Sequence, residues 1–177
     1  MTEPADIYIP IDFRKRFRTQ AFNVWAITSA VVLVWVGVIT TAPLFLAEGF
    51  AAAASPIYTF FSYICHQIPE RSLHIAGHQM AVCSRCFGVY FGLLAGILVY
   101  PLWRHIDEIE AIPRVWLFLS LVPITIDWAL TVFGIWENTH LSRVVTGAIL
   151  GAACATYIVP ALVEIIRNFS YRRLNPQ

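Results

Sequence analysis

The sequence predicts an all-α integral membrane fold, a bundle of four transmembrane helices with a short interfacial helix before the second span. Three observations carry that expectation. Hydrophobic residues make up 58% of the 177 positions and charged residues only 13%, more apolar than an ordinary soluble domain requires. Four apolar runs reach about 20 residues or more, the length at which a helix crosses the hydrocarbon core. The basic residues gather outside those runs with a bias toward one side of the membrane.

The runs are taken in order as about 21–46, 82–103, 115–134 and 144–166. Pro43, Pro101, Pro123 and Pro160 fall within or at the ends of them, which a membrane bundle tolerates because neighbouring helices satisfy freed backbone groups. A fifth apolar stretch, Ala51 to Ile64, is too short for a confident span. Ser55-Pro56 reads there as an N-cap followed by proline at the first helical position. Ile57, Phe60, Phe61 and Ile64 recur at helical spacing, as expected of a short helix at the interface.

Four spans place Arg14, Lys15, Arg16, Arg18, Arg104, Arg114, Arg167, Arg172 and Arg173 on one side, and Arg71, Arg85 and Arg143 on the other. The richer side is expected to be cytoplasmic. The predicted organisation is therefore a cytoplasmic segment 1–20, a membrane domain 21–166 and a cytoplasmic tail 167–177. The segment 51–86 then faces outward, in a multi-pass protein of the cell membrane. Nearly neutral net charge, +1, argues against a nucleic-acid partner; the partner implied directly is the lipid bilayer.

Gly88, Gly92 and Gly96 recur every fourth residue in the second span, and Gly147 and Gly151 repeat the interval in the fourth. Such stripes let two helices approach closely. Packing the second span on the fourth would bring Arg85 and Cys86 toward Arg143 and Thr146.

The chemistry is concentrated in Cys65-His66-Gln67 and Cys83-Ser84-Arg85-Cys86. The two-residue gap between Cys83 and Cys86 lets both sulfurs turn to one point, as in tetrahedral zinc sites. Cys65 and His66 are the expected third and fourth ligands of zinc or a similar ion, with His74 or His78 as substitutes for His66. The start of a helix and nearby Arg85 favour thiolates. Asp127, carried within the third span, is expected to pair with Arg143 or Arg85, because an intramembrane carboxylate needs a partner. Arg71, Arg85, Asp127 and Arg143 together form a candidate polar pocket for an anionic lipid headgroup or small ligand. Cys154, alone in the fourth span, reads as a packing residue.

Two other functions compete with metal binding. Cys83 and Cys86 can form a disulfide in an oxidising compartment, with Cys65 as resolving thiol, as in a membrane thiol/quinone oxidoreductase. The small size and glycine stripes also suit a non-catalytic accessory subunit bound to other membrane subunits. No residue is identified as catalytic by either reading.

The run Cys65-His66-Gln67-x-Pro69-x-Arg71-Ser72, then Gly77, then Cys83-x-Arg85-Cys86-x-Gly88-x-Tyr90-x-Gly92 resembles the predicted-membrane-protein family labelled domain of unknown function 2085. Asp127, Asn138, Arg143, Thr146 and Gly147 also fall where that family places polar and small residues. Trp128 and Thr131 depart from it, standing where glycine and glutamine are usual. The resemblance implies membrane residence and no established reaction.

Overall fold

The computed structural model describes residues 11–108, 110 and 112–174. Residues 1–10 of the expected N-terminal segment and 175–177 of the tail lie outside the described residues. Among those described, the helices are α1 (Ile11–Ala47), α2 (Ala51–Ser62), α3 (Ser84–Trp103), α4 (Val115–Val132) and α5 (His140–Leu174). Between α2 and α3 lie a 3-10 turn, Pro69–Arg71, and two short strands, β1 (His74–Ile75) and β2 (His78–Gln79). Lys15–Ala47, Ser84–Trp103, Val115–Val132 and His140–Ser170 are each long and apolar enough to span a membrane. The four-span expectation is borne out.

The long helices exceed the sequence boundaries at both ends of the chain. At 37 residues, α1 is about 55 Å long, well beyond the roughly 30 Å hydrocarbon core. Its extra turns carry Lys15, Arg16 and Arg18, so the basic cluster continues the helix. The start of α5 is earlier than the apolar pattern suggests, because Thr139 caps it. The Thr139 Oγ1 accepts the Ser142 N–H at 3.1 Å, and the Thr139 carbonyl accepts the Arg143 N–H at 3.1 Å. A threonine hydroxyl satisfies an otherwise orphaned first-turn donor in this way.

The start of α2 corrects the reading of Ser55-Pro56 as cap and first residue. Helix α2 begins at Ala51, and Pro56 lies inside it. The reason is the preceding turn. Gly49 takes φ +81°, and the Phe50 and Gly49 N–H groups donate to the Phe45 and Leu46 carbonyls at 2.7 and 3.1 Å. This is the paired bond pattern of a Schellman ending. It closes α1 and delivers the chain directly into α2, with proline tolerated a turn and a half later.

The α3–α5 pair is the centre of the bundle, as the glycine stripes predict. A Cβ placed on Gly88, Gly92, Gly147 or Gly151 would come within 3.0 Å of backbone atoms of Val144, Ala148, Arg85 or Val89 respectively. Only residues without side chains permit that approach. Helix α1 lies against both members of the pair, whereas α4 packs chiefly on α5. Broad apolar surfaces such as Ile27, Val31 and Val34 on α1 and Phe118, Leu119 and Ile126 on α4 remain exposed, the expected faces toward lipid.

Toward the α3 N-terminus, Trp35 makes edge contacts with Phe61 at 5.2 Å and Tyr90 at 5.8 Å between ring centroids. This cluster fixes α2 against α1 and α3. Ile39, Ala42, Met80, Ala81 and Val82 are buried beside it. Toward the other end, Ile97, Tyr100, Ala155 and Val159 form a second core, where the Trp25 indole N–H reaches the Ile97 carbonyl at 2.7 Å.

Candidate metal centre and polar pocket

The segment between α2 and α3 brings two distant pieces of sequence to one place. Gln67 holds φ +48°, reversing the chain directly after Cys65-His66. Its amide donates to the Tyr58 and Ala81 carbonyls, both at 2.8 Å. The Gln79 amide returns a bond to the Gln67 carbonyl at 2.9 Å. Beyond the 3-10 turn, Ile75 pairs with His78 across Ala76-Gly77, whose φ angles are both positive, +51° and +82°. That is the two-residue hairpin turn whose twist matches paired strands. Nothing in the helical periodicity announced the hairpin. It sends the chain back to bury Met80, Ala81 and Val82 and to present Cys83 at the mouth of α3.

Cys65, Cys83 and Cys86 converge. Their sulfurs lie within 4.8 Å of one another, and all three are free thiols. Cys65 is buried, and its Sγ accepts the Cys83 backbone N–H at 3.2 Å. The Cys83 thiol, just ahead of the first residue of α3, is pulled down to about 5. The largest cause is the hydrogen bond from the Cys86 side chain; burial opposes it, and the backbone N–H groups at the helix start reinforce it. A thiolate is the form that ligates metal.

These donors fit a soft or borderline divalent ion. Zinc–sulfur bonds of about 2.3 Å put tetrahedral sulfurs roughly 3.8 Å apart, within reach of this group by small side-chain rotations. His66 stands apart from the arrangement expected of it. It is exposed, and among the described residues the ligand group consists of the three cysteines alone. The physical reason is adjacency: Cys65 turns inward at the end of α2, and its neighbour is directed elsewhere before the chain reverses at Gln67. His74 and His78 are likewise outside the group. Cys154, midway along α5, belongs to none of this.

A cavity of about 350 Å³ adjoins the sulfurs. Its lining includes Cys65, Cys83 and Cys86 together with His66, Arg71, Arg85, Asn138 and Arg143. Behind it, the Arg85 guanidinium pairs with the buried Asp127 carboxylate across α3 and α4. Asn138 donates to the same carboxylate oxygen at 3.0 Å and accepts from Arg143 Nε at 2.7 Å. Of the two partners expected for Asp127, Arg85 binds it directly and Arg143 reaches it through Asn138. That bridging role could not be read from the sequence, where Asn138 stood out only through the family resemblance. A second unforeseen tie joins buried Ser84 to His140 Nδ1 at 2.9 Å, linking the starts of α3 and α5.

The family match among the comparisons with known proteins falls on this same region. An uncharacterized protein of Methanocaldococcus jannaschii is 41% identical over 111 residues, covering 62% of this chain and 70% of the relative. An uncharacterized protein of Methanothermobacter thermautotrophicus is 33% identical over 107 residues, covering 58% of this chain and 93% of the relative. No solved structure matches. The family described as "Predicted membrane protein (DUF2085)" matches residues 65–157, from the first cysteine of the group through the polar network to the middle of α5. The chain therefore belongs to the DUF2085 family of predicted membrane proteins.

Proposed function

We propose that this is a small multi-pass protein of the cell membrane that binds zinc, or a similar ion, through the Cys65, Cys83 and Cys86 thiolates. The site lies at the outer face beside the Arg71, Arg85, Asp127 and Arg143 pocket, with both termini cytoplasmic. One observation carries the metal reading: Cys65 and Cys83, 18 residues apart, approach closely enough for a sulfur to accept a backbone N–H, with Cys86 in the same group. Three thiols from two segments 18 residues apart seldom gather without a chemical reason. The basic-residue bias supports the orientation. His66, the nearest imidazole in sequence, supplies a fourth ligand in this reading only after a local rearrangement of its side chain.

A bound ion would cross-link the end of α2 to the start of α3 and contribute folding energy there. The test is metal analysis of protein purified under reducing conditions. About one ion per chain is expected for the wild type, and a large loss in Cys83→Ser. Protein free of metal after reduction and zinc supplementation rules the reading out.

A thiol/quinone oxidoreductase remains the second reading, favoured by the closeness of the free Cys83 and Cys86 sulfurs, within 4.8 Å of each other. Trapping a Cys83–Cys86 disulfide that quinone regenerates after reduction would establish it in place of the metal site. Thiols that stay reduced and are shielded from alkylation by metal would exclude it.

A further inference from the structure

We infer that the cavity beside the cysteine group holds a phosphate group, presented by an anionic lipid headgroup or by free phosphate. The inference rests on the pocket reading above and is independent of whether an ion occupies the cysteines.

The cavity wall carries three guanidiniums, and the network behind it contributes one carboxylate. Arg71 is exposed; its backbone N–H donates to the Ile68 carbonyl, while its guanidinium has no hydrogen-bond or ion-pair partner among the described residues. Arg143 spends its Nε on the neutral Asn138 amide and shares the cavity wall with Arg71 and Arg85. Arg85 gives one terminal nitrogen to Asp127, while its Nε is buried with no partner. A divalent ion on three thiolates would add one negative charge to this region and still leave it positive. Uncompensated cations beside lipid are costly and mark a place where an anion binds.

The number and nature of the groups select the anion. A single guanidinium already matches a carboxylate in a bidentate pair. Three guanidiniums around one cavity suit a ligand with more oxygens and more charge, and planar guanidiniums are the usual choice for phosphate. Besides the cysteines, His66, Thr131 and Asn138, the wall has an apolar part formed by Ile64, Ile68, Trp128 and Val132. Trp128 and Val132 are 57% and 59% exposed on the outward portion of α4. An acyl chain attached to the phosphate can therefore leave the cavity along that lipid-facing surface. This favours the lipid as the source.

The experiment is calorimetric titration of the full chain in detergent with short-chain phosphatidic acid, inorganic phosphate and short-chain phosphatidylcholine. Metal content is measured on the same samples. Saturable binding of phosphatidic acid is expected, weakened about tenfold or more in Arg71→Gln and in Arg143→Gln, the loss typical of a charge-assisted contact. Arg71 is exposed and tied to no other side chain, so its variant reports the site even where Arg143→Gln fails to fold. Inorganic phosphate binding as tightly as the lipid assigns the source to the free ion and supports the site. No saturable binding of either phosphate, equal binding of phosphatidylcholine, or unchanged affinity in Arg71→Gln overturns it. Full metal content without phosphate binding sinks this inference alone; phosphate binding without metal sinks only the zinc reading.

Discussion

Arg85 and Arg104 stand at opposite ends of the same helix, and each meets a carboxylate. Arg104, just past the end of α3, pairs with Glu108 four residues on at 3.2 Å, and the Glu108 side chain is 42% exposed. Arg85, in the first turn, reaches 42 positions along the chain to Asp127, whose side chain is 9% exposed. The first pair orders a loop that contiguity already holds near. The second ties α4 to α3, although α4 otherwise packs chiefly on α5. An ion pair thus supplies what apolar packing does not: a fixed rotation of α4 that brings Trp128 and Thr131 to the cavity. Buried pairs cost desolvation and are best attested as devices that set register, the part expected of this one.

The largest effect expected from disturbing this arrangement lies between the two ends, where α3 and α5 touch. Gly92→Val places side-chain atoms against the Ala148 backbone, which cannot yield as a flexible side chain would. A loss of about 3 kcal/mol or more is expected, beyond the usual range for overpacked cores, or failure to accumulate folded protein. Gly37→Ala is the matched control, since nothing lies within 4 Å of its added Cβ. Thermal unfolding in detergent measures both, and equal stabilities would contradict the central role of the α3–α5 contact.

The two ion pairs come next and compare directly. Asp127→Ala leaves Arg85 without its counter-charge and Asn138 without an acceptor. It should cost about 3 kcal/mol, at the low end for breaking a buried pair, because the Arg85 side chain keeps 25% exposure. Glu108→Gln should cost no more than about 1 kcal/mol, as for other exposed pairs. Denaturant unfolding of the two variants, read also by protease sensitivity of the loop before α4, reports the contrast. Similar losses would show that the buried pair does not anchor α4.

The same contrast explains what the sequence disclosed. Span number, the glycine-to-glycine contact and the three-cysteine group were legible, since each depends on spacing within a segment or on an unusual residue type. The Arg104–Glu108 pair has the local spacing of helical charge pairs. The choice between Arg85 and Arg143 for Asp127 was not legible, because it depends on how two helices are rotated about their axes. The bridge through Asn138 has the same origin. Proximity in sequence points to His66 as a ligand, but a chain reversing at Gln67 turns neighbours apart. Ser55-Pro56 looked like a helix start because its composition matches one, while the true start was set by Gly49 several residues earlier.

The metal reading requires that the Cys65, Cys83 and Cys86 sulfurs share one ion. X-ray absorption at the zinc edge of the purified, zinc-loaded chain tests it most directly. Three sulfur neighbours at about 2.3 Å are expected, falling to two in Cys65→Ser. A first shell made only of nitrogen and oxygen, or one unchanged by Cys65→Ser, would contradict it.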